Sequence, residues 1–315
     1  MIPESRRPIL VTIVALAIAA GLIWYLAANA DRYLDLLRLS APGVLWLFLL
    51  SLAFPVVNGL INTYMFRNLG ARLTHREGFL LASTATLANQ LPLPGGLVTR
   101  GVYLKQRHGT SYAAYLSAAV ALFVCSLAAY GAVGLVVLLF WLPWQGVAPP
   151  APLLVGFSAM AASAGLLLIP VKRIRLPQRF RGRLEQVIEG WSRLGRDPGL
   201  LLRLLGLQTV LMVLFAIRYW IAFRMLSQQI SPAQAALMSC SSILTQLVSL
   251  APGGLGVREA VVGAVAASLG FDLPVSVAAV GVDRLVSTVA IVLAGWYGTL
   301  VLGRSFPGPE RPSRG

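Results

Sequence analysis

Charge is what this sequence has least of. Only 12% of its 315 residues are charged, where a soluble domain carries about a quarter. Acid is scarcer than base: 11 Asp and Glu stand against 26 Lys and Arg, for a net charge of +15. Two cysteines and two histidines are too few for a disulfide framework or a metal centre. Cys125 and Cys240 fall in apolar stretches and read as small packing residues. His75 and His108 lie in basic loops, without an acidic or Cys partner at ligand spacing, and read as solvated. The chain shows no nucleotide-binding glycine loop and no Ser-His-Asp set that converges. No cofactor, metal or catalytic residue is therefore expected, and the protein reads as a non-enzyme. Nucleic acid is not the expected partner either. The arginines sit in short loops between apolar spans, as the positive-inside rule requires.

What is abundant is hydrocarbon, 57% of residues. Residues 9–28, 43–66, 112–142, 152–170, 200–226 and 274–303 are each long enough for a bilayer, which needs about 20 apolar residues. Shorter apolar stretches cover 78–91, 235–251 and 260–269. The fold class expected is all-α and polytopic, a single integral membrane domain over 1–315. Arg6-Arg7, an apolar run and then Ala28-Asn29-Ala30 resemble a signal peptide. The run exceeds the 7–15 residues of a signal core, so an uncleaved first helix is the better reading.

The charged loops orient the chain. Arg6 and Arg7, then Arg67, Arg72 and Arg76, then Arg100, Lys105 and Arg107, the basic loop at 171–198, and Arg304, Arg311 and Arg314 are all expected on the cytoplasmic side. Residues 29–42 balance two Asp with two Arg, and 143–151 and 227–234 carry no charge, so these face outward. Both termini then lie in the cytoplasm of a cell whose inner (plasma) membrane holds the protein. The loops at 67–76 and 101–111 are both inside, so the apolar segment between them must enter and return. By the same logic 235–270 enters and returns from outside. Six full spans and two opposed re-entrant hairpins satisfy every loop.

The reversals fall on Pro92-Leu93-Pro94-Gly95-Gly96 and Pro252-Gly253-Gly254. Proline removes a backbone donor and glycine reaches the angles a reversal needs. Both reversals carry Pro-Gly-Gly-Leu-x-x-Arg, ending at Arg100 and Arg258. Upstream, Phe66-Arg67-Asn68-Leu69 aligns with Phe223-Arg224-Met225-Leu226, Leu73-Thr74 with Ile230-Ser231, Glu77 with Gln234, and Leu80 with Leu237. Matches in one register indicate a duplication, with a first repeat over about 43–142 and a second over about 200–303. Opposite insertion makes it an inverted repeat, an arrangement that in transporters puts broken helices and the substrate near the midplane.

After each Gly-Gly a helix is expected to start, near Leu97 and Leu255. Its first amides lack partners and carry the positive end of the helix dipole, which suits an anion. Gly95, Gly96, Gly253 and Gly254 would let it approach. Arg100 and Arg258 would grip it, since guanidinium binds phosphate through paired hydrogen bonds. An arginine at membrane depth costs about 2.5–3.5 kcal/mol and so asks for a partner. Glu259, Asp283, Arg284 and Arg218 are the other ionisable groups within apolar segments. Two readings are open: they line the substrate site, or they pair with one another, for instance Glu259 with Arg284 or Asp283 with Arg258. Asn89 and Gln90, like Gln246 and Ser249, precede the breaks and suit either backbone support or a head group. The stretch Gln178–Leu194 spaces Phe180, Leu184, Val187, Ile188, Trp191 and Leu194 as an amphipathic helix lying on the anionic leaflet.

The run Leu250-Ala251-Pro252-Gly253-Gly254-Leu255-Gly256-Val257-Arg258-Glu259, with Asp283-Arg284 downstream, resembles the transmembrane flippase-like domain of lysylphosphatidylglycerol synthase, the multiple peptide resistance factor. The resemblance covers about residues 10–303. It implies lipid flipping: in the bifunctional proteins this domain moves aminoacylated phosphatidylglycerol outward, and stand-alone relatives accompany glycolipid, isoprenoid-lipid or hopanoid pathways. Two departures stand out. About a dozen residues follow the last span, so no synthase domain and no lysyl transfer are expected. No acidic residue lies near Arg100, where many members have one.

The expected function is movement of an anionic-head-group lipid (phospholipid, aminoacyl-phospholipid or polyprenyl-phosphate type) across the membrane. Such lipids are the expected partners, with a separate lipid-modifying enzyme and a homo-oligomer as further candidates. The rival readings are a glycosyl or phosphoryl transferase acting on a lipid-linked substrate, and a small-anion transporter. Cysteine-accessibility mapping tests the topology. Positions within 67–76 and 101–111 should label from the same side, and a plain traverse between them would remove the hairpin.

Overall fold

The computed structural model describes residues 41–90, 95–163, 197–246 and 257–304, and all their regular structure is helical. In chain order the helices are α1 (Ala41–Asn68), α2 (His75–Ala88), α3 (Gly95–His108), α4 (Tyr112–Trp144), α5 (Ala151–Ala162), α6 (Pro198–Met225), α7 (Pro232–Ser242), α8 (Val257–Ser268) and α9 (Leu273–Arg304). A 3-10 turn over Ile243–Gln246 prolongs α7. Helices α1, α4, α6 and α9 are long and apolar enough to cross a bilayer. At about 1.5 Å per residue, the 28 residues of α1 reach about 42 Å. These four correspond to the spans expected at 43–66, 112–142, 200–226 and 274–303. The span expected at 9–28, the amphipathic stretch Gln178–Leu194, Gly253 and Gly254 lie outside the described residues. Of the span expected at 152–170, the described part is the 12 residues of α5 and Ser163.

Helix α4 carries a π-helical turn over Val137–Trp141, and the Leu142 amide bonds to Val137, five residues back. Pro143 follows. It has no amide hydrogen to offer the preceding turn, so the ladder slips by one residue there.

The two halves build the same local devices. Helix α1 ends on Gly70 (φ +88°) and α6 on Ser227 (φ +59°). In the first, the amides of Leu69, Gly70 and Ala71 bond to the carbonyls of Phe66, Arg67 and Phe66. In the second, Leu226, Ser227 and Gln228 bond to Phe223, Arg224 and Phe223. These left-handed caps satisfy carbonyls that a helix end leaves open. Ser227 adopts the angle without glycine's freedom. The next helices start alike. Thr74 with Glu77 opens α2, and Ser231 with Gln234 opens α7, each through a complete capping box. Helices α3 and α8 end on Gly109 and Gly270, both at positive φ. Phe66 and Phe223, Leu73 and Ile230, and Leu80 and Leu237 are buried at matching positions.

Packing crosses between the repeats. Helix α2 lies against α1 of its own half and α9 of the other, while α7 lies against α6 and α4. Helices α1 and α6 pack directly on each other. Helix α2 is held closely on both sides. A Cβ added at Gly59 would stand 2.7 Å from the Phe79 Cα, and one at Gly298 would stand 2.8 Å from the Leu80 carbonyl. Helices in lipid associate through such small residues, because hydrocarbon offers no solvophobic drive between them. Gly298→Leu should therefore lower stability by about 1–3 kcal/mol, the usual cost of overpacking. Gly303→Leu, at a glycine with open space around it, should be silent. Thermal unfolding of the purified chain in detergent distinguishes the two outcomes.

Candidate functional site

The second repeat gathers the intramembrane charges. Arg218 projects from α6 and Asp283 from α9. The Arg218 Nε donates to Asp283 Oδ1 at 2.7 Å and its Nη2 to Oδ2 at 2.9 Å. The two side chains are 3% and 0% exposed. Paired N–H donors on both carboxylate oxygens make the strong form of this interaction. At the next position along α9, Arg284 Nη1 donates to both oxygens of Glu259 on α8, at 2.8 and 3.1 Å. This pair is more open, at 12% and 15% exposure.

Arg258 takes neither carboxylate. Its Nε donates to the Tyr219 hydroxyl at 3.0 Å. Its guanidinium lies 4.5 Å from the centroid of the Phe215 ring and 5.8 Å from that of Tyr219. Arg218 approaches the same Phe215 ring at 5.0 Å. Phe215 and Tyr219 are one turn apart on α6 with rings stacked at 6.3 Å, so the two cations share an aromatic surface. A ring face attracts a desolvated cation by roughly 2 kcal/mol but does not neutralise it. Among the described residues, then, the cluster holds three guanidinium groups and two carboxylates, and both carboxylates are already held. The uncommitted cation is Arg258.

The pairing of Glu259 with Arg284 is one of the two anticipated from sequence. Asp283 departs from the other, because its partner is Arg218 and not Arg258. Helices α6 and α9 pack directly, which brings Arg218 to Asp283 with both donors aligned. Arg258, in the first turn of α8, meets the Tyr219 phenol first. Phe215 and Tyr219 did not stand out in the sequence. Their four-residue spacing around Arg218 was the available signal.

The first repeat is arranged differently. Arg100 is half-buried beside the Tyr115 hydroxyl on α4, and its Nε is buried without a hydrogen-bond partner. No hydrogen bond or ring contact among the described residues joins it to Arg258. Helix α3 begins at Gly95, earlier than the start expected near Leu97, so both glycines lie in its first turn. The Gly96 amide donates to Asn89 Oδ1 at 2.7 Å. Asn89 thus fills one of the amide sites expected to face a ligand, acting as backbone support. Gln90 continues the turn, its amide bonded to the Leu87 carbonyl. Where α2 begins and α3 ends, His108 is only partly exposed. It faces the Tyr103 ring at 5.9 Å, and Tyr103 donates to Glu77 at 3.4 Å. Burial lowers the His108 pKa while Glu77 opposes that shift. His75 is exposed, as expected. Cys125 and Cys240 are buried thiols. Among the described residues no group of His, Cys, Asp and Glu has the arrangement of a metal site.

Removing one partner of a buried ion pair strands the other, at a cost of about 3–5 kcal/mol, whereas replacing both by apolar groups is often close to neutral. Asp283→Ala should therefore destabilise the protein strongly. The double variant Arg218→Met, Asp283→Leu should recover most of the loss, as read by thermal unfolding in detergent.

Comparison with curated proteins gives no significant match. Comparison with protein families does: residues 12–295 match the family described as the lysylphosphatidylglycerol synthase transmembrane region. That range takes in every residue of the charge cluster. This multi-pass membrane protein belongs to the lysylphosphatidylglycerol synthase transmembrane-region family.

Proposed function

We propose that the protein moves a lipid with an anionic head group across the inner membrane, and that Arg258 takes the head group. The observation that carries this reading is the uncommitted guanidinium. A half-buried cation whose partners among the described residues are a phenol and two ring faces gains most from a ligand that brings its own negative charge. The lipid-related family is consistent with such cargo.

The transport reading also draws on the duplication. Its two halves would enter the bilayer from opposite sides, with both termini cytoplasmic. Exposed aromatics mark the ends of the spans: Trp46, Trp141 and Trp144 lie near one end of α1 and α4, and Trp296 and Tyr297 near the C-terminal end of α9. Arg100 would offer a second, weaker stop for the same head group. Group transfer has less support, since a catalytic acid or base must be free to exchange a proton and Asp283 and Glu259 are each held by an arginine. A lipid-modifying enzyme acting before or after transport would be a separate partner.

In reconstituted liposomes, wild-type protein should translocate a labelled phosphatidylglycerol or polyprenyl phosphate. Arg258→Ala should slow this at least tenfold, and Arg258→Lys should retain an intermediate rate. Translocation of no such lipid by wild type, or equal rates for wild type and Arg258→Ala, rejects the reading. Flux of inorganic phosphate without lipid movement would instead support a small-anion transporter.

A further inference from the structure

Asp283 has a second arginine within electrostatic reach. Arg258 and Arg218 lie against the same Phe215 ring, at 4.5 and 5.0 Å from its centroid, and the Asp283 charge acts on Arg258 as well as on its own partner. A carboxylate offers about four lone-pair sites, and Arg218 occupies one on each oxygen. Opposite charges attract far more strongly in a low-dielectric interior than in water. On charge alone, Arg258 would close on Asp283 and share it with Arg218. It does not. Among the described residues its hydrogen bond runs from Nε to the Tyr219 hydroxyl, at 3.0 Å.

We propose that Tyr219 is a positioning residue, whose hydroxyl holds the Arg258 guanidinium off Asp283 and so keeps one positive charge in excess at the site. Tyr219 is built for this. Its side chain is fully buried and its ring stacks on Phe215 at 6.3 Å, so the hydroxyl is a fixed post on α6. A phenol accepts a hydrogen bond and stays neutral at physiological pH. It therefore orients the cation without cancelling its charge, which a carboxylate at the same place would do. The bond uses Nε, and no hydrogen bond among the described residues uses either Nη group of Arg258. Phe215 acts as the spacer: its ring attracts both cations and lends neither of them a negative charge. The use of the excess charge rests on the anion reading of Arg258. The holding of Arg258 away from Asp283 does not.

The test uses the full chain in detergent and two measurements, titration with glycerol phosphate and thermal unfolding without ligand. Tyr219→Phe removes the hydroxyl and keeps the ring. It should let Arg258 close on Asp283 and weaken glycerol phosphate at least fivefold. In the Arg218→Met, Asp283→Leu background no carboxylate competes for Arg258, and there the same substitution should cost less than twofold. Tyr130→Phe removes another buried phenol bonded to α6, at the Gln208 carbonyl, and should leave glycerol phosphate binding within twofold of wild type. Equal losses from Tyr219→Phe in the two backgrounds, or a matching loss from Tyr130→Phe, overturn the proposal. Thermal unfolding reads the same contact through a cycle between Arg258→Met and the pair Arg218→Met, Asp283→Leu. With Tyr219 in place the two shifts should add. In the Tyr219→Phe protein they should couple, because Arg258 then has Asp283 as a partner. Shifts that combine alike with and without the hydroxyl overturn the proposal. Arg258→Ala keeps the two readings apart: if it binds glycerol phosphate as wild type does, the anion reading fails, and the unfolding cycle alone decides the role of Tyr219.

Discussion

Arg218 and Asp283 are both out of water inside an apolar helix bundle, and charges in that position must meet. Desolvation of either alone costs several kcal/mol, and their mutual attraction offsets this only when the geometry is good. Here both carboxylate oxygens accept a donor, at 2.7 and 2.9 Å. The pair pins α6 to α9. It also consumes the most deeply buried carboxylate of the cluster, and so determines the character of the neighbouring arginine. With Asp283 taken and Glu259 bound to Arg284, Arg258 is left to a phenol and ring faces. The excess charge of the site is a consequence of who pairs with whom.

The likeness of the two halves extends to the scaffold and not to the site. Helix ends, capping boxes and buried positions recur in both halves, because they solve the same local problem of leaving and re-entering a helix. The charges do not recur. With the register offset of the repeat, Arg218 and Tyr219 correspond to Ile61 and Asn62, and Glu259 to Gly101. Of the charges at the site, only the hairpin arginine, Arg100 or Arg258, is common to both. Asn62 is buried with its amide nitrogen unpartnered, so the first half keeps a polar group where the second has the phenol that steadies Arg258. Two similar frames carry one charged site and one sparse one.

Much of the frame was legible beforehand. Long apolar runs declared α1, α4, α6 and α9, since a bilayer sets their length. The paired Thr74–Glu77 and Ser231–Gln234 were visible as aligned residues, and their capping role follows from spacing of three. The site was legible only as a set of residues. Arg218, Arg258, Glu259, Asp283 and Arg284 stand out because charge is rare in these segments, but of their pairings only Glu259 with Arg284 was anticipated. Nor did Phe215 and Tyr219, which resemble any other aromatic in an apolar helix until a guanidinium lies against them. The Asn89 contact with Gly96 spans seven residues across a break, a distance over which helical periodicity carries no information.

The sequence by itself determined that the chain is a helical membrane protein, that short stretches of its two halves match in register, and which side chains are too costly to be at membrane depth without a purpose. Those facts follow from hydropathy and from local hydrogen-bond chemistry, which act over a few residues. Tertiary structure alone decided that Asp283 serves Arg218, that Glu259 meets Arg284 out of the partners open to it, and that among the described residues Arg258 meets a phenol and ring faces and no carboxylate. An arginine reaches any carboxylate within several ångströms, and which one lies there depends on how α6, α8 and α9 pack, a contact between segments as much as 65 residues apart.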